Sequence, residues 1–160
     1  MLKAIIGTIV VILSVSIGAK CSDVYKKRVE FYMLLSDLNA DLKRNLAFRR
    51  ESVCDIIDNE KYRATFFDLY EASKQGKRGN KVNYSAYLPA FLTDEQKQRL
   101  ISYFGEIGKN DSDAEEKYIV YNEKIISDEL EQCRIELKKY KNMGGKLGLS
   151  FGLIIFVLIL

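Results

Sequence analysis

The chain has 160 residues and a net charge of +3, with 25 basic and 22 acidic residues interspersed along it. This small charge does not indicate nucleic-acid binding, and the length allows one compact domain plus terminal segments. Histidine is absent, which removes the commonest general base and the usual imidazole metal ligand. We therefore expect neither an enzyme nor a metal or cofactor site.

The first element in chain order is an uncharged segment, residues 4–19, between Lys3 and Lys20. A basic start followed by apolar and small residues is typical of a signal peptide cleaved near Gly18, and equally of an uncleaved anchor. The segment is slightly short for a membrane span of about 20 residues. The flanking lysines can make up the difference by reaching the interfaces.

A charged, periodic stretch follows and predicts a first long helix, which continues from the anchor to about Arg50. Its apolar residues recur at three- and four-residue steps and form one stripe. Such a stripe is typical of a helix that faces a core, and a pairing face for another subunit is the alternative. The stripe consists of Val24, Phe31, Leu34, Leu35, Leu38, Leu42 and Leu46.

The middle of the chain predicts shorter helices separated by turns. Two helical stretches are expected at residues 53–58 and 62–73, and Gly76 is predicted to stop the second of them. Cys54 and Cys133 are expected in the core as reduced thiols; Cys21 is the third cysteine, and no pair has metal-site spacing.

A capping box predicts the start of the next helix: Thr93 as the cap, with Gln96 three residues later. This helix is expected to end near Gly105 and Gly108, where the chain can reverse direction. Asp111 or the serine after it is then predicted to cap the last helix.

The last helix of the middle region is predicted from Ala114 to about Asn142, on a heptad seam. Met143 to Gly145 are expected to form a flexible joint, and residues 147–160 are apolar on every face, which indicates membrane insertion. The seam consists of Ile119, Ile126, Leu130, Cys133, Leu137 and Tyr140.

The sequence therefore predicts an all-α protein. An antiparallel helical bundle, residues 21–142, is flanked by an N-terminal transmembrane helix, residues 1–20, and a C-terminal one, residues 143–160. Gly144, Gly148 and Gly152 are four residues apart, a spacing that packs membrane helices, although a hinge also explains the first of them. Lysines and arginines lie mainly on the inner side of both apolar ends, so the middle domain is expected in the cytoplasm.

These features bring a family into view. The turn Phe104-Gly105-Glu106 with Asp111, and the tail Lys146-Leu147-Gly148 with Gly152-Leu153 through Leu160, resemble stage III sporulation protein AB of spore-forming Firmicutes. The similarity extends over the whole chain in layout, and it is weakest between Cys54 and Leu92.

The resemblance implies a structural component of the channel apparatus that joins mother cell and forespore. Its bundle would be similar to the platform proteins of type II secretion and type IV pilus machines. It would lie in the mother-cell or outer forespore membrane and would couple a cytoplasmic secretion-type ATPase to the other stage III subunits, with homo-oligomers also allowed.

The residues expected to bind a partner lie on two turns. We predict Glu106, Lys109 and Asp111 as the contact surface, with Lys77 and Arg78 behind them. The alternative function is a signal-cleaved, tail-anchored helical module of the envelope or of adhesion, which faces outward.

Overall fold

In a computed structural model of the chain, the backbone is described for residues 2–48, 51–77, 82–109 and 111–159. Side chains are described for residues 22–46, 51–76, 82–84, 86–109, 111–141, 150 and 154. Within these ranges every regular element is helical and there is no strand, so the predicted all-α class is confirmed. The elements are α1 (Leu2–Phe48), α2 (Val53–Ile57), α3 (Glu60–Tyr62), a π-helical segment (Arg63–Phe67), α4 (Asp68–Lys77), a 3-10 turn (Tyr84–Ala86), α5 (Asp94–Glu106) and α6 (Ser112–Ile159).

The chain divides into two compact units. The terminal unit contains Met1–Glu30 and Leu130–Leu160, and the central unit contains Phe31–Glu129.

The core of the central unit is centred on Phe66, which lies in the π-helical segment and is fully buried. Its ring lies 5.3 Å from that of Phe31 on α1 and 5.5 Å from that of Phe104 on α5. Aromatic rings at such distances attract one another beyond the effect of their buried area. The predicted stripe on α1 supplies Leu35, Leu38 and Leu42 to this core, all at most 2% exposed.

A buried polar bridge joins three helices of the central unit. Asn39 of α1 is 1% exposed, and its Nδ2 donates to the Ile119 carbonyl of α6 at 3.2 Å. The Tyr103 hydroxyl of α5 donates to Asn39 Oδ1 at 2.9 Å. Because buried polar groups are costly unless they are paired, this bridge favours one arrangement of the three helices over others.

The capping box predicted at the start of α5 is confirmed. Gln96 N–H donates to Thr93 Oγ1 at 3.3 Å, and Thr93 N–H donates to Gln96 Oε1 at 3.1 Å. Two amide groups that lack partners within the helix are thus satisfied reciprocally.

The predicted helix stop at Gly76 is wrong, because α4 includes Gly76 and continues to Lys77. The reason for a glycine at this position is steric. A Cβ atom at this position would collide with the Tyr84 hydroxyl from the 3-10 turn. The absence of a side chain at Gly76 therefore allows the segment after α4 to approach the helix closely.

Helix α6 is longer than expected, and the predicted joint at Met143 to Gly145 is wrong, since the backbone is helical from Ser112 to Ile159. Mid-helix glycine costs on the order of 1 kcal/mol, but extending an existing helix requires no new nucleation. The seam prediction holds at Ile119, Ile126 and Cys133, which are at most 5% exposed.

The same seam also contains polar residues that the sequence analysis missed. Glu115, Asn122 and Glu129 follow one another at heptad spacing, and none is more than 9% exposed. Glu129 accepts hydrogen bonds from Gln96 Nε2 at 3.0 Å and from the Arg99 guanidinium. The Asn122 side chain donates to the Tyr118 carbonyl one turn earlier, at 2.8 Å.

In the terminal unit, α1 and α6 are joined by aromatic and charged contacts. Tyr25 stacks on Tyr140 with ring centroids 4.1 Å apart, and Arg28 binds Glu136 at 2.9 Å. Val24 is 44% exposed, which corrects its assignment to the buried stripe. Because Tyr25 faces α6, its neighbour Val24 is turned about 100° away around the helix.

The two predicted transmembrane segments are helical in backbone, as parts of α1 and α6. Apart from Ser150 and Ile154, which are exposed, their side chains lie outside the described residues, as does the packing of Gly144, Gly148 and Gly152. Among the residues that the structure describes, no helix combines the length and the apolar character needed to cross a membrane.

Candidate interaction surface

The α5–α6 turn is the predicted partner contact, and its shape depends on Gly108. This residue has a φ of 76°, in the left-handed region that L side chains rarely adopt. The preceding Ile107 is fully buried and donates its N–H to the Tyr103 carbonyl at 3.1 Å. The buried isoleucine anchors the turn, and the glycine reverses the chain toward α6.

Two acidic residues of α6 and its cap hold this turn from the other side. Glu115 is 3% exposed, and its Oε1 accepts the Gly108 N–H at 2.7 Å. Asp111 Oδ1 accepts the Ala114 N–H at 2.9 Å, which confirms Asp111 as the predicted cap of the last helix. Hydrogen bonds to carboxylates are among the stronger ones in proteins, so these two bonds stabilise Gly108 and the start of α6.

Helix α4 lies beside the turn and contributes Lys74, a residue that no sequence pattern indicated. Its Nζ donates to the Ile107 carbonyl at 3.2 Å and lies 5.0 Å from the centre of the Tyr70 ring. Burial raises the pKa of Tyr70 to about 12, and nearby negative charge, including that of Glu115, adds to the effect. Tyr70 is therefore neutral at physiological pH.

The predicted partner-binding residues of the turn lie on its surface. Glu106, Lys109 and Asp111 are all exposed, and Lys109 Nζ lies 3.7 Å from Glu106 Oε1. Lys77 is the last residue of α4, three residues after the lysine that contacts the turn, but its side chain lies outside the described residues. Arg78 lies outside them altogether.

A shallow groove of about 510 Å³ runs along the first turns of α6 and is lined by residues of that helix, from Asp113 to Tyr121. Two apolar side chains stand out in it: Val120 is 44% exposed and Tyr121 is 66% exposed. The groove begins at Asp113, two residues after the cap, so Tyr121 lies about 15 Å along the helix from Asp111. Both residues lie away from the apolar seam of α6, so no sequence pattern indicated them. We use the name "turn surface" for Glu106, Lys109, Asp111, Val120 and Tyr121.

A second, polar cleft of about 550 Å³ lies between the end of α1 and α3. Its charged groups bind one another: Asp41 accepts hydrogen bonds from Arg44 and from the Tyr62 hydroxyl, and Asn45 donates to Glu51 at 2.9 Å. Burial alone would raise the pKa of Asp41, but the hydrogen bond from Tyr62 and the charge of Arg44 outweigh it and lower the pKa. Hydrogen bonds from Tyr62 to Asp41 and from Asn45 to Glu51 thus connect the two sides of the cleft.

The cysteines differ in how deeply they are buried. Cys133 is buried, as predicted, whereas Cys54 is half-buried. Burial, followed by the charge of Glu71, raises the pKa of Cys54. A raised thiol pKa lowers the thiolate fraction, so Cys54 is a poor nucleophile. The side chain of Cys21 lies outside the described residues.

Comparison with known proteins identifies one family. The family described as stage III sporulation protein AB matches residues 3–160, which is essentially the whole chain. No curated protein and no solved structure matches the chain. The resemblance noted in the turn and in the tail is thereby confirmed at the level of the family.

Proposed function

Because the chain belongs to the stage III sporulation protein AB family and so acts in stage III of sporulation, we propose a specific structural role for it. It is a membrane-anchored component of the secretion-like channel between mother cell and forespore. It couples a cytoplasmic secretion-type ATPase to the other channel subunits. Its contribution is mechanical support and docking, without catalysis.

The observation that carries this proposal is the continuity of the two long helices. The backbone of α1 is helical from the apolar N-terminal end into the central unit, and that of α6 from the central unit to the apolar C-terminal end. A helical segment is a semi-rigid spacer, whereas an irregular linker is flexible. Two such helices therefore favour a structural role, in which the protein holds a membrane complex in place while an ATPase moves.

The turn surface supports a docking role for the central unit. It combines residues beside two carboxylate hydrogen bonds, those of Glu115 and Asp111, with exposed apolar side chains farther along α6, at Val120 and Tyr121. Interfaces commonly place an aromatic anchor within a polar rim, and here Glu106 and Lys109 would supply the rim. We propose that the ATPase binds this surface.

A charge reversal with a matched control tests the docking. Lys109 lies three residues after Glu106, and Lys97 lies three residues after Asp94 at the opposite end of α5, each within 4 Å of its carboxylate. Lys109→Glu and Lys97→Glu therefore make the same charge change near opposite ends of α5, the first just beyond its last residue and the second in its first turn. We expect Lys109→Glu to weaken capture of the ATPase at least tenfold and Lys97→Glu to leave capture unchanged. Equal capture by both variants would remove the turn surface from the docking site.

Topology decides between this proposal and an outward-facing envelope module. In a background without the three cysteines, Gln98→Cys places a thiol on the exposed face of α5, and Leu160→Cys places one at the end of the tail. A membrane-impermeant maleimide is then applied to intact cells. We expect Leu160→Cys to be labelled and Gln98→Cys to be protected until the membrane is opened. Labelling of Gln98→Cys on intact cells would end the ATPase-docking mechanism and favour the exported module.

A further inference from the structure

The terminal unit carries an aromatic pair with a cation beside each ring. Tyr25 of α1 and Tyr140 of α6 stack at a centroid distance of 4.1 Å with ring planes 10° apart. The Arg28 guanidinium lies 5.5 Å from the centre of the Tyr25 ring, and Lys139 Nζ lies 5.9 Å from that of Tyr140. Cations near aromatic faces are attracted to them, so each cation steadies the ring on its own helix, while the stack itself and the Arg28–Glu136 ion pair join the two helices.

The stack brings two runs of basic residues to one place. Lys26 and Lys27 follow Tyr25, whereas Lys138 and Lys139 precede Tyr140 and Lys141 follows it. All five lysines are exposed, and we call them the lysine cluster. Acidic neighbours offset part of the charge, since Lys26 lies 3.7 Å from Glu30 and Arg28 binds Glu136. A net positive patch remains, fixed in position by the tyrosine pair.

The lysine cluster lies close, along both helices, to the apolar segments at the two ends of the chain. Lys26 is seven residues from the end of the uncharged segment at Ala19, which is about 10 Å along a helix. Lys141 lies no farther than this, along its own helix, from the apolar run that begins at Leu147. The headgroup layer is about 5–8 Å thick on each side of a bilayer, and charge acts over about 8–10 Å at physiological salt. Tyrosine is also typical of this level of a membrane protein.

We propose that the lysine cluster is a binding site for the headgroups of anionic phospholipids in the leaflet next to the central unit. This inference rests on the membrane attachment proposed above. Basic clusters immediately next to a transmembrane helix bind anionic lipids through charge, and each lysine contributes a factor of about five in affinity. The tyrosine pair keeps both basic runs at one depth, so one headgroup can contact lysines of both helices.

Lipid retention by the full chain tests the proposal. The purified chain in mild detergent is titrated with phosphatidylglycerol or with phosphatidylcholine of the same acyl chains, and native mass spectrometry counts the lipids retained. Lys138→Gln/Lys141→Gln removes two charges from the cluster, and Lys117→Gln/Lys124→Gln removes two exposed charges from the same helix within the central unit. Lys26→Gln/Lys27→Gln tests the contribution of α1.

We expect phosphatidylglycerol to bind at least tenfold more tightly than phosphatidylcholine. Either cluster variant should weaken phosphatidylglycerol binding by up to about 30-fold, at a factor of about five for each lysine, whereas the central-unit variant should match the unmodified chain. Inorganic phosphate in excess should not displace the lipid. Displacement by phosphate would instead identify a site for free anions and overturn the assignment to headgroups.

The remaining outcomes separate this proposal from the membrane attachment on which it rests. Equal affinity for the two lipids, or equal weakening by cluster and central-unit variants, overturns the lipid site and leaves the membrane scaffold intact. A chain that stays monodisperse without detergent and retains neither lipid overturns the membrane attachment, and with it the lipid site.

Discussion

Replacing Tyr103 by phenylalanine should destabilise the central unit, because it removes one buried hydroxyl group that donates a hydrogen bond. Tyr103 is 4% exposed, and its hydroxyl donates to Asn39 Oδ1 at 2.9 Å. In Tyr103→Phe the ring contacts remain, but the buried Asn39 oxygen loses this donor. An unsatisfied buried acceptor costs about 1–3 kcal/mol, so we expect the free energy of unfolding to fall by about 2 kcal/mol.

The assay is guanidinium unfolding of the full chain in mild detergent. The chain has ten tyrosines and no tryptophan, so near-ultraviolet circular dichroism follows the packing of tyrosines, while the signal at about 222 nm follows helix content. Tyr87→Phe is the matched control, because Tyr87 is 44% exposed. Surface changes of this kind are usually within about 0.5 kcal/mol of the unmodified protein.

A double-mutant cycle assigns the loss to the bridge. Asn39→Leu removes the other partner at similar volume, and the pair Asn39→Leu/Tyr103→Phe removes both polar groups together. We expect the double variant to lose less stability than the sum of the single variants, with a coupling of about 1 kcal/mol. The reasoning is refuted if Tyr103→Phe is as stable as Tyr87→Phe, or if the single effects simply add.

Three further predictions concern the turn and the buried tyrosines. Gly108→Ala should cost about 1–2 kcal/mol in the same unfolding assay, because φ is 76° and the new Cβ would lie 3.2 Å from Val53; an unchanged midpoint would contradict the strain. Asp111→Ala should lose about 1 kcal/mol of capping energy, whereas Asp111→Asn keeps the cap and loses only the charge; both should weaken ATPase capture, and full capture by Asp111→Asn would show that the charge is not recognised. Burial raises the pKa of Tyr103 above its usual range and that of Tyr70 to about 12, so both stay neutral in the folded chain while they ionise near pH 10 when unfolded. Their contribution to the free energy of unfolding is therefore complete below about pH 10 and is lost as the pH rises toward 12. In Tyr70→Phe, the free energy of unfolding plotted against pH between 8 and 12 should fall less steeply. An unaltered slope of this plot would contradict the assignment.

The features that were predictable from sequence depend on local spacing. The capping box at Thr93 needs only two residues three apart, and the helical class follows from apolar periodicity together with a single proline. Asp111 was predictable as a cap for the same reason. Each of these features is set by hydrogen bonds or contacts within about one turn of helix, so no knowledge of the tertiary structure was required.

The features that were missed depend on contacts between distant residues. Gly76 resembles a helix stop by its neighbours, and only the approach of Tyr84 shows why a glycine stands there. The bridge at Asn39 needs Tyr103, 64 positions later in the chain. Val120 and Tyr121 form no recognisable pattern in sequence, and only the structure shows that both are exposed on α6.

The polar residues of the α6 seam have a consequence for mechanical load. A purely apolar heptad seam is nearly indifferent to a slip of seven residues, about 10.5 Å, because each side chain then enters an equivalent hole. Here Glu115 is bound to the Gly108 amide and Glu129 to Gln96 and Arg99, and these partners differ in kind. A slip of one heptad would separate both buried carboxylates from these donors, which is unfavourable. The seam therefore resists sliding. A pull along α6 must break the hydrogen bonds of Glu115 and Glu129 before the helix can move within the central unit.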